Sequence, residues 1–401
     1  MKDEKGSGPM LVSGGRIVND DSIWQADVFV EEGVIKQIGH NLQVPPACKV
    51  IDARGKYVIP GGIDPHVHFN LPMFGNVISV DDFYTGTKAA VAGGTTMIID
   101  FVTPNNNESL ISAYEKYRSW ADPNVCCDYG LSVIIRNFSE RTKNEMQEVV
   151  KNKGVNSFKF FMAYAGAFQL NDQDLYQSFV QCRKIGALAR IHAECGDLIF
   201  MKEKELLAQG VTGPEGHFQA RPEECQSEAT TRACLLAKEA NCPLYVVHVM
   251  SKGAADAIGD ARRKGAVVFG EAVGSGISGI NGTELFDHCF RHAAAHVMSP
   301  PLSDDSSTAA HLMDSLAAGQ LQTTGSDHAV FDSNQKALGK ADFTKIPNGV
   351  NGVEERMMIV WEKGVVSNSI SSSREISAKS SFVTFLKLLP PKTFLSSRYY
   401  A

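Results

Sequence analysis

No apolar run in this 401-residue chain approaches the roughly 18–20 residues that a membrane-spanning helix needs. The N-terminus, MKDEKGSGPM, is polar and lacks the apolar core of a secretory signal. Both absences lead us to expect a cytoplasmic protein with no membrane partner. Basic residues are not in excess: 39 Lys and Arg stand against 45 Asp and Glu, for a net charge of −6. That balance argues against a dedicated nucleic-acid binder, which carries a basic footprint. The nine cysteines form no CxxC pair, are odd in number, and are scattered through segments that read as strands and helices (Cys182, Cys234, Cys242). Reduced, mostly buried thiols are expected, not a disulfide framework. No short-period repeat marks a solenoid. What remains is an ordinary globular composition, 43% hydrophobic and 21% charged, long enough to bury a sizeable core.

Three zones follow along the chain. Residues 1–56 are expected to form part of a small β-domain. Short alternating runs (Arg16–Val18, Asp27–Val30, Val34–Ile38) are separated by the turn signals Asn19-Asp20-Asp21 and Glu31-Glu32-Gly33. Residues 57–366 alternate apolar, β-rich runs with helical stretches. The strand candidates are Tyr57–Pro60, Met97–Val102, Tyr129–Ile135, Ser157–Met162, Ala189–Ala193, Leu244–Val249, Ala266–Gly270 and Leu321–Ser326. Near-continuous apolar strands between helices imply a parallel sheet covered by helices. Eight such units match an α/β fold of the (β/α)8, TIM-like barrel type. A doubly wound open sheet is the alternative, but no GxGxxG follows the first strand. Residues 367–401 form a divergent tail with ten Ser, five Lys or Arg and one acid.

In a barrel the reactive face is the C-terminal end of the strands. His66 and His68 follow Gly61-Gly62-Ile63-Asp64-Pro65, and in extended chain their rings point to one face, where two imidazoles can grip a metal. Alone, this HxH is a weak signal, equally compatible with surface or core histidines beside a tight turn. Lys159 lies inside the apolar run Ser157–Met162, where a charged amine is costly. It reads either as a lysine snorkelling at a strand end or as one carbamylated by CO2, which turns the amine into a bridging carboxylate. His192 and His248 each end an apolar run, and each alone reads as a core histidine. Asp327 sits in Thr324-Gly325-Ser326-Asp327-His328, where it could equally cap a helix. Together these residues converge on one rim. Oxygen and nitrogen ligands around a bridging carboxylate suit two divalent first-row ions, most simply zinc. Such a pair, about 3.5–4 Å apart, lowers the pKa of a shared water and polarises a carbonyl.

At this point the sequence resembles the cyclic amidohydrolases, and most closely the dihydropyrimidinase and hydantoinase family. The matching stretches include PGGIDPHVHF, GVNSFKFFMAY, IHAECGDLI, HVMSPPL, TTGSDHAVF and KALGKADFTKIPNGVNGVEERM. The resemblance implies an amidohydrolase-superfamily barrel with a small β-sandwich domain. It implies two Zn2+ ions per subunit, held by His66, His68, Lys159 as N6-carboxylysine, His192, His248 and Asp327. It places the tyrosine that contacts the substrate carbonyl on Tyr164, and the residues that read the ring's amide edge on Ser299 and Asn348. The implied reaction is hydrolysis of 5,6-dihydrouracil, dihydrothymine or a hydantoin to an N-carbamoyl amino acid, a step of pyrimidine degradation. Asp327 would act as the proton shuttle, and the enzyme would be a homotetramer.

The family also includes the collapsin response mediator proteins, which share the fold without the hydrolase activity and lack the first-strand His pair and the strand-four lysine. Both features are present here, which favours the catalytic branch. Two departures stand out. The family's strand pair after the WEKGVVS stretch is missing, so the β-sandwich is expected to be incomplete, with an unpaired sheet edge and an uncovered apolar face. The alternative reading is therefore a catalytically impaired isoform, or a scaffold that assembles with full-length subunits. The second departure is Ala165-Gly166-Ala167 after Tyr164, near the expected substrate mouth.

Overall fold

The computed structural model describes residues 8–19 and 22–366, and the Ser-rich tail expected over 367–401 lies outside them. The described chain divides after Gly61 into two compact units. Among the described residues, no helix is long and apolar enough to cross a membrane. All nine cysteines are free thiols, and Cys182, Cys225, Cys234 and Cys242 are buried.

The first unit is a five-stranded sheet. It is built from β1 (Met10–Val18), β2 (Ile23–Glu31), β3 (Val34–Gly39), β4 (Lys49–Asp52) and β5 (Tyr57–Val58). The order is β3-β2-β1-β4, with β5 also pairing β1. The β2–β3 turn is the two-residue hairpin that Glu32 and Gly33 announce. Both take positive φ (53° and 71°), which matches the twist of the flanking strands. Ile17, Ala26 and Val28 form its small core. Val34, Ile35, Ile38, Val50 and Ile51 are exposed on its outer strands.

The second unit is the barrel. Its strands are β6 (Gly62–Val67), β7 (Thr95–Val102), β8 (Asp128–Ile134), β9 (Ser157–Phe161), β10 (Leu188–His192), β11 (Leu244–Val249), β12 (Val268–Val273) and β13 (Thr323–Gly325). They pair in sequence order as one eight-stranded parallel sheet. The ends approach closure: Val67 bridges His328, and the His68 amide donates to the His328 carbonyl at 2.8 Å. β9 and β11 are buried along their whole length, as strands covered on both faces must be. The intervening helices carry the expected stop signals. Asn171, for example, caps Asp172–Ile185 by accepting from the Asp174 amide, and Gly186 ends that helix in the left-handed region.

One strand differs from expectation. Tyr57–Val58 pairs with β1 in the small sheet, and the first barrel strand is Gly62–Val67. An apolar run of four residues cannot announce which sheet it joins. The pairing partner decides, and Arg16 and Ile17 supply it.

Candidate active site

The C-terminal ends of the barrel strands enclose a cavity of about 650 Å³. All nine residues singled out from the sequence line it: His66, His68, Lys159, Tyr164, His192, His248, Ser299, Asp327 and Asn348. They come from strand ends and following loops, and three of them sit in unusual backbone. Among the described residues, nine non-glycine residues have clearly positive φ, and five are asparagines, which tolerate it. Of the other four, three are Tyr164 (65°), His248 (36°) and Asp327 (53°). Such strain persists only where surrounding structure imposes it, and it concentrates at functional sites.

His66, His68 and Asp327 form a ligand cluster. The Asp327 Oδ1 lies 3.0 Å from His66 Nε2 and 3.2 Å from His68 Nε2. The other side of the His66 ring is fixed by Glu271, 2.6 Å from Nδ1, which leaves Nε2 as the nitrogen facing the cavity. His192 is held in the same way. Its Nε2 donates to Glu194 at 2.5 Å, and Glu194 also accepts from Arg221 at 2.8 Å. The His248 ring lies 4.4 Å from that of His192 and 5.4 Å from that of His66. Burial drives the pKa of His66, His192 and His248 below the ordinary histidine value, so they face the cavity as neutral imidazoles. Burial pushes Asp327 up, but His66, His68 and Lys159 more than offset this and keep it below the usual carboxylate range.

Lys159 is 1% exposed. Its Nζ sits over the rings of Phe101 and Phe161, at 4.9 and 5.4 Å. Burial, and then the charge of Arg190, bring its pKa down to about 7. A lysine so placed holds a substantial neutral fraction near neutral pH, the form that adds CO2. The donor set fits divalent metal. It offers neutral imidazoles, a carboxylate between two of them, a carbamylatable amine, and the buried Nδ1 atoms of His68 and His248 without hydrogen-bond partners.

Across the cavity, Asn348 Nδ2 donates to Ser299 Oγ at 2.9 Å, and the Tyr164 hydroxyl faces both side chains. Burial raises the Tyr164 pKa, so the phenol keeps its proton and acts as a donor. Ala165 and Ala167 line the same cavity, and the Ala167 carbonyl accepts from Arg136 at 3.2 Å.

Sequence reasoning missed the groups that hold this site. Glu271 accepts from Tyr245 (2.6 Å) and the His248 amide (3.0 Å) as well as facing His66. His217 Nε2 donates to the Met298 carbonyl at 2.7 Å. Lys336 Nζ donates to the carbonyls of Val297 and Gly349, at 3.0 and 2.9 Å. The only signal was a charged or polar residue inside an apolar stretch, as at Glu271 in Val268–Val273.

The model of the amidohydrolase family matches residues 57–358. A dihydropyrimidinase of Rattus norvegicus is 53% identical over 388 residues, spanning 96% of this chain and 74% of the relative. A solved D-hydantoinase superposes with a TM-score of 0.89 at 39% identity, over 94% of this chain and 79% of that one. A solved dihydropyrimidinase from Brevibacillus agri does so with a TM-score of 0.87 at 39% identity, over 92% and 79%.

Proposed function

Because the chain belongs to the dihydropyrimidinase–hydantoinase family of cyclic amidohydrolases, we propose that its cavity opens the ring of a 5,6-dihydropyrimidine or a hydantoin by hydrolysis of an amide C–N bond. The observation that carries this reading is the His66–His68–Asp327 cluster beside buried Lys159 in one cavity. Two zinc ions held by His66, His68, carbamylated Lys159, His192, His248 and Asp327 would acidify a water and polarise the scissile carbonyl.

The chain's own groups do the rest. Asp327, held ionised by its histidine neighbours, accepts a proton from the attacking water. It returns that proton to the ring nitrogen as the C–N bond breaks, so water adds across the bond with no other reactant. The protonated Tyr164 hydroxyl donates to the carbonyl oxygen as negative charge develops there. Ser299 and Asn348, joined by their hydrogen bond, read the amide edge of the ring. A cytoplasmic homotetramer is our expectation for the assembly.

The test is ring opening of 5,6-dihydrouracil by the purified chain supplied with zinc and bicarbonate, with Asp327→Ala as the blank. Turnover above the blank supports the reading. None from protein carrying two zinc ions would overturn it and leave a scaffold that joins other subunits. In the same assay Lys159→Ala is expected to lose activity by about two or more orders of magnitude, with partial rescue by a short carboxylic acid such as propionate. Full activity without added acid would sink the carbamate role.

A further inference from the structure

Outside the barrel cavity, one other group of metal-ligating side chains comes together among the described residues: Glu284, His292 and His296. The chain here places Glu284, His288, His292 and His296 at intervals of four. His292 lies on the helix Phe290–Ala295 and His296 caps its end, so one helical turn brings both rings to the same face. Their ring centroids are 4.7 Å apart. Glu284 comes from the turn Gly282–Phe286, and its Oε2 lies 2.7 Å from His292 Nε2.

The tautomer of His296 adds a second, independent point. Its Nδ1 donates to the His292 carbonyl at 2.9 Å, which leaves the lone pair on Nε2. A ring N–H donated to a backbone carbonyl is how a ligating histidine is ordinarily oriented. The three donor atoms, one carboxylate oxygen and two imidazole nitrogens, all lie within 4.8 Å of one another. Leu285 and Ala294 are fully buried in one apolar cluster with Phe290 against it, so the turn and the helix are anchored together beneath the site.

We propose that Glu284, His292 and His296 form a second, peripheral site for a first-row divalent cation, with zinc as the best fit. Two neutral imidazoles and a carboxylate leave one tetrahedral position for water. The ion displaces the proton now shared by Glu284 and His292. It ties the turn Gly282–Phe286 to a helix that ends four residues before Ser299. None of the barrel-cavity residues takes part.

Zinc counting tests this. The full chain is loaded with Zn2+, freed of excess metal, analysed by elemental mass spectrometry, and titrated with further Zn2+ by calorimetry. The wild type is expected to take one more equivalent than the double variant His292→Gln/His296→Gln. Glu284→Gln is expected to weaken the extra equivalent by at least the roughly tenfold that loss of an outer partner costs. It also keeps the test open should the double variant fail to fold. Activity in the barrel is expected to be the same in all three. Equal zinc stoichiometry and equal titrations in wild type and Glu284→Gln would overturn the proposal.

Discussion

At the scale of single residues, the site is made of groups that burial has moved from their ordinary behaviour. His217 is the clearest outside the ligand set. Burial, with Arg221 nearby, brings its pKa down to about 3. A histidine whose folded pKa lies below its unfolded value contributes stability that is fully present above about pH 6.5. That contribution is lost as pH falls from there toward 3, because the unfolded chain takes up the proton first. Between pH 6.5 and 5 this is worth about 2 kcal/mol, at about 1.4 kcal/mol per pH unit. Urea unfolding of wild type and His217→Gln at the two pH values should show the wild type losing that much more. Parallel losses would refute the assignment. Four of the proposed ligands were legible in the sequence because each interrupts or ends an apolar run: His66, Lys159, His192 and His248. His217, in TGPEGH, interrupts nothing, and its partner, the Met298 carbonyl, is 81 residues away.

At the scale of elements, the proposed substrate-reading edge is two loop segments held in register, not a strand or a helix. The Gly349 amide donates to the Val297 carbonyl at 2.9 Å. Lys336 bonds the carbonyls of both residues, and Burial lowers its pKa to about 7. The segments it joins lead into Ser299 and Asn348. Lys336→Met removes the two bonds while keeping the bulk. We expect kcat/KM to fall on the order of 10- to 100-fold, mainly through KM, because misplacing a positioning group by about 1 Å has that effect. Zinc content should stay at the wild-type value. Unchanged KM would show that the two loops keep their register without the lysine. Neither loop has a periodic pattern, so the sequence could place Ser299 and Asn348 only through family resemblance. The lysine that joins them carried no motif of its own.

At the scale of the whole barrel, a buried ion pair joins the two ends of the sheet. Arg356 and Asp64 are both fully buried, with Arg356 Nε 3.4 Å from Asp64 Oδ2. Arg356 also donates to the Thr324 carbonyl (3.2 Å) and Thr95 Oγ1 (3.0 Å), and so reaches β6, β7 and β13 together. Asp64 Oδ1 accepts from the Ser326 amide at 3.0 Å. Burial raises the Asp64 pKa and the charge of Arg356 opposes this. Arg356→Met would leave that carboxylate buried without its counter-charge, and denaturant unfolding should show a loss of about 3–5 kcal/mol. A loss under about 1 kcal/mol, the value of an exposed pair, would show that Asp64 takes up a proton at little cost.

The sequence by itself determined the alternation of strand and helix, because a strand buried on both faces must be apolar throughout and a helix must be capped. The candidate ligands could also be picked out there, since a His, Lys or Asp at the end of such a strand stands out against its neighbours. The tertiary structure decided three further matters. It decided that Tyr57–Val58 belongs to the small sheet, because pairing with β1 is a contact across 41 residues that no local pattern encodes. It decided which imidazole nitrogen faces the cavity, through Glu271 and Glu194. It also brought Glu284 to His292, eight residues apart in the chain, through a buried apolar anchor. Each of these depends on distance in space, and periodicity along a chain carries no information about that.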